Sequence, residues 1–253
     1  MNLSWVRPLA LGMFHGLSGM STQAQTWDWQ LSEPFDYTAQ FQVLNIDPDN
    51  VTAREVKALK RNGVYLICYI SVGTLERYRE DRPRFPDMVR GNGYDGPYDE
   101  IYLDIRRLDI LLPLMKARFQ KCKDMGFDAI EPDNMDVFEA PSGFPLTRKH
   151  GHRYIFELAN IAHGMGLRIG QKNLPDHTDD LIKAMDFVIT EDCFEDGWCD
   201  EVLPYIKAQK PVFAAEYTDT DVDFKKACAY AKRHQISMIL KDRDLTKWRK
   251  GCS

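Results

Sequence analysis

Short, almost continuously apolar segments alternate with helical segments along most of this 253-residue chain. In the run VYLICYI at 64–70, for example, hydrophobic residues do not alternate with polar ones. This pattern is typical of parallel strands that are buried on both faces, because helices cover the outside of such a sheet. We predict eight strands, with starts 19 to 40 residues apart, at 41–47, 64–71, 100–105, 127–131, 167–172, 186–191, 210–217 and 236–241.

Eight consecutive strand–helix units predict an α/β fold, a single (β/α)8 TIM barrel. The intervening segments agree with this, since Thr52 and Glu55 form a capping box that opens a helix over 52–62, and the helix stops at Gly63. An open doubly wound sheet is the alternative, but no G-x-G-x-x-G or Walker pattern opens any helix. Residues 27–31 add either a ninth short strand or a plug at the bottom of the barrel.

The first 24 residues differ in composition from the rest of the chain. They contain no acidic residue and one cation, Arg7, followed by a mildly apolar run and then by small and polar residues. Thr22 and Ala24 occupy the −3 and −1 positions of a cleavage site. We predict a signal peptide over 1–24, with a disordered tail as the alternative, and one barrel domain over 25–253. The protein is then secreted or periplasmic.

The charge pattern restricts the partners. The net charge is −5, no basic block stands out, and no uncharged apolar stretch reaches the length of about 18 residues that a membrane-spanning helix needs. We therefore expect a protein that has no nucleic-acid partner, does not insert into membranes and is a monomer.

Six cysteines fit an oxidising compartment. Cys193 and Cys199 bracket a short loop and are placed to close it, and Cys252 lies in a tail that can reach Cys228 on a helical apolar face. Cys68 lies inside an apolar strand, where we expect a buried free thiol. Spacing alone does not determine the connectivity.

Charged residues gather where the predicted strands end. In a barrel these ends converge on one face, so that groups distant in sequence surround one cleft. The 28-residue connection between Ser71 and Glu100 follows one of these ends, and connections this long are usually functional or disordered. The strand-end residues are Asp47, Asp104, Glu131 with Asp133, Asn134 and Asp136, Lys172 with Asn173, Glu191 with Asp192, Glu216 with Tyr217, and Lys241 with Asp242. Of these, we expect Asp136 and Asp242 to be helix caps or loop anions.

The residue types in this cluster narrow the chemistry. No serine or cysteine lies in a nucleophile elbow and no histidine lies at these ends, which disfavours acyl transfer by a catalytic triad. Two lysines in the same ring oppose a Mg²⁺ or Ca²⁺ site, so we expect no metal and no cofactor. Paired carboxylates without a metal are what glycoside hydrolysis requires.

Several segments resemble those of glycoside hydrolase family 114, the endo-α-1,4-polygalactosaminidases. They span nearly all of 27–217 and are WDWQL (27–31), CYISVGTLERYREDRPRFP (68–86), YLDIR (102–106), GFDAIEPDNMD (126–136), IGQKN (169–173), TEDCF (190–194) and KPVFAAEY (210–217). The resemblance implies a secreted (β/α)8 enzyme that hydrolyses α-1,4-linked galactosamine or N-acetylgalactosamine polysaccharides without a cofactor.

The resemblance also implies which residues are catalytic. The two essential carboxylates of the family fall on Asp133 and Glu191. We expect Asp133 to be the nucleophile and Glu191 the general acid/base, which gives retention of configuration. The family context of the second carboxylate is closer to NEQCF, so Thr190 and Asp192 depart from it.

We expect the substrate-binding residues to surround this pair. Lys172 either keeps Asp133 ionised or satisfies a carboxylate at the barrel mouth structurally. Carboxylates bind sugar hydroxyls or the cationic 2-amino group of galactosamine, and aromatic rings stack on sugar faces. Glu131 is expected to point into the barrel or to contact Lys172. The predicted binding residues are Asp47, Tyr69, Asp104, Lys172, Trp198, Glu216 and Tyr217.

Two other functions remain open from the sequence. One is a barrel that binds glycans but has lost turnover, because the residues around Glu191 differ from the family pattern. The other is a glycosidase that uses the same mechanism on a different α-linked sugar.

Overall fold

The computed structural model describes residues 23–38, 40–94 and 99–252. Nearly all of the predicted signal peptide lies outside these ranges. No helix within them is long and apolar enough to cross a membrane. The strands are β1 (Trp27–Gln30), β2 (Val43–Ile46), β3 (Tyr65–Ser71), β4 (Thr74–Glu76), β5 (Arg90–Gly93), β6 (Glu100–Leu103), β7 (Ala129–Asp133), β8 (Arg168–Lys172), β9 (Phe187–Glu191), β10 (Val212–Tyr217), β11 (Ser237–Lys241) and β12 (Arg249–Gly251). The helices are α1 (Ala53–Arg61), α2 (Leu108–Met125), α3 (Arg148–Gly164), α4 (Thr178–Leu181), α5 (Leu203–Lys207) and α6 (Phe224–His234).

Eight parallel strands form a nearly closed barrel in the order β1-β2-β3-β7-β8-β9-β10-β11, and β12 pairs antiparallel with β11. The predicted α/β barrel is therefore confirmed. The helix after β2 starts as predicted, because Thr52 and Glu55 form the capping box. Its last turn gives way to Gly63, which has a positive φ of 80°.

One predicted barrel strand is wrong. The segment 100–105 contributes β6, which pairs antiparallel with β4 and β5 in a separate sheet within the long connection after β3. We call β4, β5 and β6 the inserted sheet. The eighth place in the barrel belongs to β1. The segments 27–30 and 100–105 are both short apolar runs, and a run of this kind has the same sequence pattern in the barrel as in the inserted sheet.

Two layers of side chains form the core. Large aromatic residues fill the inside of the barrel, among them Trp27, Trp29, Phe187 and Phe213. Gly170 on β8 makes room for them, since a Cβ atom there would lie 2.3 Å from the Phe187 ring. A second layer of aliphatic and aromatic residues lies between the outside of the barrel and the helices.

The seam between β1 and β11 is closed by a buried ion pair. Lys241 Nζ lies 2.8 Å from Asp28 Oδ1, and both side chains are almost fully buried. Lys241 was predicted at the mouth of the cleft, but it belongs to this seam instead. Asp242 is a loop anion as predicted, because its carboxylate accepts hydrogen bonds from the backbone N–H and hydroxyl of Thr246.

Three disulfides join the six cysteines: Cys68–Cys122, Cys193–Cys199 and Cys228–Cys252. The last two agree with the sequence analysis. The expected free thiol at Cys68 is wrong, because Cys68 faces outward from β3 and meets Cys122 on the inner face of α2. The packing of α2 against β3 brings together two residues that are 54 positions apart.

Candidate active site

A cleft of about 1080 Å³ opens at the carboxyl ends of the barrel strands. This is the end of the fold at which barrel enzymes carry their active sites. The inserted sheet forms one wall and the loop after β11 forms another. The residues that line it include Trp29, Asp47, Tyr69, Tyr78, Glu100, Asp133, Asn134, Lys172, Asn173, Glu191, Tyr217 and Arg243.

Lys172, at the end of β8, connects the two predicted catalytic carboxylates. Its Nζ atom lies 2.6 Å from Asp133 Oδ1 and 2.9 Å from Glu191 Oε2. These two oxygens are therefore at most about 5.5 Å apart. Burial alone would lower the pKa of Lys172, but the surrounding carboxylates raise it well above its usual value. A permanently charged lysine thus holds the pair together, 4.8 Å above the Trp29 ring.

Asp133 is the last residue of β7 and is 19% exposed. Its second oxygen, Oδ2, accepts hydrogen bonds from the Tyr69 hydroxyl at 3.0 Å and from Asn134 Nδ2 at 3.1 Å. Asn134 has a positive φ of 56°, and its carbonyl oxygen lies where a Cβ atom of Gly73 would be. Only glycine fits at position 73, so the loop after β3 can pack directly against the turn that follows Asp133.

Glu191 ends β9 and is 28% exposed. It accepts hydrogen bonds from the Tyr217 hydroxyl at 2.6 Å and from Asn173 Nδ2 at 3.1 Å. Burial by itself would raise the pKa of Glu191, but Lys172 and these two hydrogen bonds lower it to about 2. The carboxylate is therefore ionised over the whole physiological pH range.

A third carboxyl group lies beneath the pair, on the barrel interior. Glu131 is 1% exposed, accepts a hydrogen bond from Asn45 Nδ2 and lies 3.5 Å from Lys172 Nζ. It both points into the barrel and contacts Lys172, as the sequence suggested. Burial raises the pKa of Glu131 to about 8 against the opposing effect of Lys172. Burial thus favours the neutral form of Glu131, which lies beneath the two carboxylates that Lys172 contacts.

Asp47, after β2, lines the cleft but is anchored to the inserted segment. It accepts hydrogen bonds from Arg79 Nη1 at 2.8 Å and from the Tyr78 hydroxyl at 2.9 Å. Arg79 also binds Asp49 and Glu76. Tyr78 stays 61% exposed with the Arg79 guanidinium 4.7 Å from its ring centre. The sequence analysis identified Asp47 but not its partner Arg79, which lies in the long connection without a local pattern to mark it.

Three of the predicted substrate-binding residues lie away from the cleft. Asp104 follows β6 and makes a bidentate ion pair with Arg106, because its strand is not part of the barrel. Glu216 faces outward from β10 and accepts the backbone N–H groups of Phe194 and Glu195. Burial raises the pKa of Glu216 to about 7. Trp198 lies on the Cys193–Cys199 loop and packs against the outer core.

Arg243, in the loop after β11, was missed by the sequence analysis. Its guanidinium stacks 3.7 Å from the centre of the Tyr217 ring and pairs with Asp192 at 3.0 Å and with Asp219 at 2.8 Å. It therefore fixes the ring whose hydroxyl group holds Glu191. Asp192 is one of the two positions that depart from the family pattern, and here it supplies a partner for this cation.

One cluster among the described residues has the donor types of a metal site, formed by Cys193, Cys199 and Glu216. The two sulfur atoms are joined in a disulfide, and Glu216 is occupied by two backbone N–H groups. Thiolate ligands are consequently not available at this position.

Comparison with known proteins agrees with the observed fold. The family model of glycoside-hydrolase family GH114 matches residues 16–253. A crystal structure of Ega3 from Aspergillus fumigatus in complex with galactosamine is similar, with 28% identity, a TM-score of 0.83, and coverage of 92% of this chain and 100% of that one. The glycoside hydrolase domain of PelA from Pseudomonas aeruginosa shares the fold, with 14% identity, a TM-score of 0.68, and coverage of 89% and 98%. No curated protein matches the chain in sequence.

Proposed function

From the premise that this chain belongs to glycoside hydrolase family GH114 and is a glycosidase, we propose that it cleaves α-1,4-linked galactosamine or N-acetylgalactosamine polysaccharides internally. The similarity to Ega3, which was crystallised with galactosamine, supports this class of substrate. The cleft has a volume of about 1080 Å³ and several carboxylates in its wall, which suits a polymer whose free amino groups are cationic.

The spacing of Asp133 and Glu191 carries the mechanistic proposal. Retaining glycosidases place their two carboxyl groups about 5–5.5 Å apart, whereas inverting enzymes need about 6.5–9.5 Å to admit a water molecule. The shared contact with Lys172 limits the separation of the facing oxygens to about 5.5 Å. This limit favours retention of configuration.

We assign Asp133 as the nucleophile and Glu191 as the general acid/base. Glu191 gives its proton to the leaving oxygen while Asp133 attacks the anomeric carbon, and a glycosyl–Asp133 ester forms. Glu191 then takes a proton from water, and that water breaks the ester. For the first step Glu191 must be protonated, so a bound sugar must separate it from Lys172. Burial, which opposes the low pKa of Glu191 while Lys172 is in contact with it, then favours the neutral acid.

Secretion forms part of the proposal. Three disulfides fit an extracellular or periplasmic compartment, where thiols are oxidised.

The test uses α-1,4-linked galactosamine oligosaccharides, both deacetylated and N-acetylated. We expect the native chain to release shorter oligosaccharides whose first-formed reducing end has the α configuration by NMR. Asp133→Asn and Glu191→Gln should each lower kcat by at least roughly 10³-fold, because each removes a group that acts only on the transition state. Glu195→Gln, an exposed change on the loop after Glu191, is the matched control and should keep native activity.

The other outcomes distinguish the alternatives. Binding without release by the native chain would identify a glycan-binding barrel, and release only from another α-linked oligosaccharide would change the substrate. A first-formed β product would show inversion and remove the proposed role of Asp133.

A further inference from the structure

The inserted sheet brings Glu100 to the cleft. Glu100 is the first residue of β6 and pairs across the antiparallel ladder with Glu76 on β4. The sequence pattern predicted a barrel strand over 100–105, so Asp104 near its end was the predicted functional carboxylate. In the structure Glu100 lines the cleft and Asp104 does not.

A short chain of hydrogen bonds links Glu100 to the proposed nucleophile. The Thr74 hydroxyl donates to Glu100 Oε2 at 2.5 Å, and Asn134 Nδ2 lies 3.2 Å from that hydroxyl oxygen. The same Asn134 nitrogen is 3.1 Å from Asp133 Oδ2. Two side chains therefore separate the carboxyl groups of Glu100 and Asp133, and both carboxyl groups line the same cleft.

Glu100 differs in its electrostatic surroundings from the other buried or half-buried carboxylates of the cleft, whereas the exposed Asp136 and Asp244 also have no ion pair among the described residues. Asp133 and Glu191 share Lys172, Asp47 and Glu76 share Arg79, and Asp99 pairs with Arg77. Within the described residues, no cation lies within ion-pair distance of Glu100. Burial raises the pKa of Glu100 to about 7, and the negative charges of Glu76 and Asp133 add to this effect, while the Thr74 hydrogen bond and the more distant charge of Arg79 oppose it.

A half-buried carboxylate without a cation at ion-pair distance is unfavourable until a positive group binds beside it. We propose that Glu100 binds the protonated 2-amino group of a galactosaminyl unit and so selects the free amine over the N-acetylated sugar. This inference rests on the proposed function. The ammonium group makes a charge-assisted hydrogen bond with the carboxylate, whereas an acetamide brings no charge and leaves the carboxylate unpaired.

The experiment compares native chain, Glu100→Gln, Glu100→Asp and Asp87→Asn on two soluble α-1,4 oligosaccharides, one deacetylated and one N-acetylated. For the deacetylated oligomer we expect Glu100→Gln to raise KM by roughly 10- to 100-fold with kcat within about twofold of native. KM for the acetylated oligomer should change little. Glu100→Asp should recover part of the preference, because it keeps the charge. Asp87→Asn removes an equal charge from a fully exposed site on the same connection and should behave as native.

Other results would overturn the inference. They are an equal loss on both oligomers, a loss confined to kcat, or an unchanged KM in an active native enzyme. If the native chain cleaves neither oligomer, the proposed function fails instead, and titration calorimetry with the same oligomers then tests Glu100 by binding. If Glu100→Gln does not fold, inhibition of the native chain by galactosamine monomer should exceed inhibition by N-acetylgalactosamine at least tenfold, and equal inhibition would refute the inference.

Discussion

At the scale of single residues, the active site depends on one lysine shared by several acids. Lys172 contacts Asp133 and Glu191 and lies near Glu131. Three carboxyl groups this close cannot all ionise without a cation between them. Burial favours the neutral form of Glu131, and the charge of Lys172 makes the pair of carboxylates above it tolerable in a partly buried site.

Replacement of Lys172 should therefore shift the pH dependence of the enzyme. In Lys172→Met the pKa of Glu191 rises, since the cation that lowers it is gone and burial remains. The limb of the pH–kcat/KM profile that reports Glu191 in the free enzyme should move to higher pH by about 1–3 pH units, with a lower maximum. Lys172→Arg keeps the charge and should leave this limb within about one unit of native. A limb that stays in place in Lys172→Met would contradict the proposed role of the cation.

At the scale of elements, the disulfide Cys68–Cys122 fastens α2 to the outside of β3. The long connection with the inserted sheet lies between these two elements. A disulfide between the two elements that flank an insertion limits the conformational freedom of the unfolded chain. This effect grows with the length of the loop that the disulfide closes. The loop closed here spans 54 positions, and that of Cys193–Cys199 spans 6.

Removal of the longer cross-link should cost more stability. We expect Cys68→Ala with Cys122→Ala to lower the free energy of unfolding by about 2–4 kcal/mol in urea titrations of oxidised protein. Cys193→Ala with Cys199→Ala is the matched control and should cost less. The reverse order would show that loop entropy does not govern these two bridges.

At the scale of the whole molecule, closure of the barrel depends on the seam between β1 and β11. The buried Lys241–Asp28 pair joins these two strands, and a backbone hydrogen bond from Leu31 N to Leu245 O joins the segments that follow them. Asp28 also accepts hydrogen bonds from Gln30 and from the N–H of Trp29. The buried Asp28 carboxylate thus has several partners, and removal of its cation would carry a large cost in folding free energy.

Lys241→Met should destabilise the fold by about 3–5 kcal/mol, measured by urea unfolding, because it leaves Asp28 charged and buried. Lys226→Met is the control. It breaks an exposed pair with Asp223 and should change stability by less than about 1 kcal/mol. Equal effects of the two changes would mean that the seam does not rely on this ion pair.

Much of this architecture can be read from the sequence. The period of the apolar runs determines the parallel α/β barrel, and the position of Asp133 and Glu191 at the ends of two such runs places them on one face. The capping box at Thr52 and two of the disulfides are local enough to be predicted. These features depend on residues near one another in the chain, or on a rule that holds for every parallel barrel.

Only the tertiary structure decided which segments close the barrel and which way their side chains point. Strand pairing joins segments that are distant in the chain, so the sequence did not show whether β1 or 100–105 is the eighth barrel strand. Because 100–105 contributes to the inserted sheet instead, Glu100 lines the cleft and Asp104 does not. In strands buried on both faces the polarity does not alternate, so the sequence did not show that Tyr217 faces inward and Glu216 outward. The partner of Cys68 was likewise decided by helix packing, which depends on the folded surface as a whole.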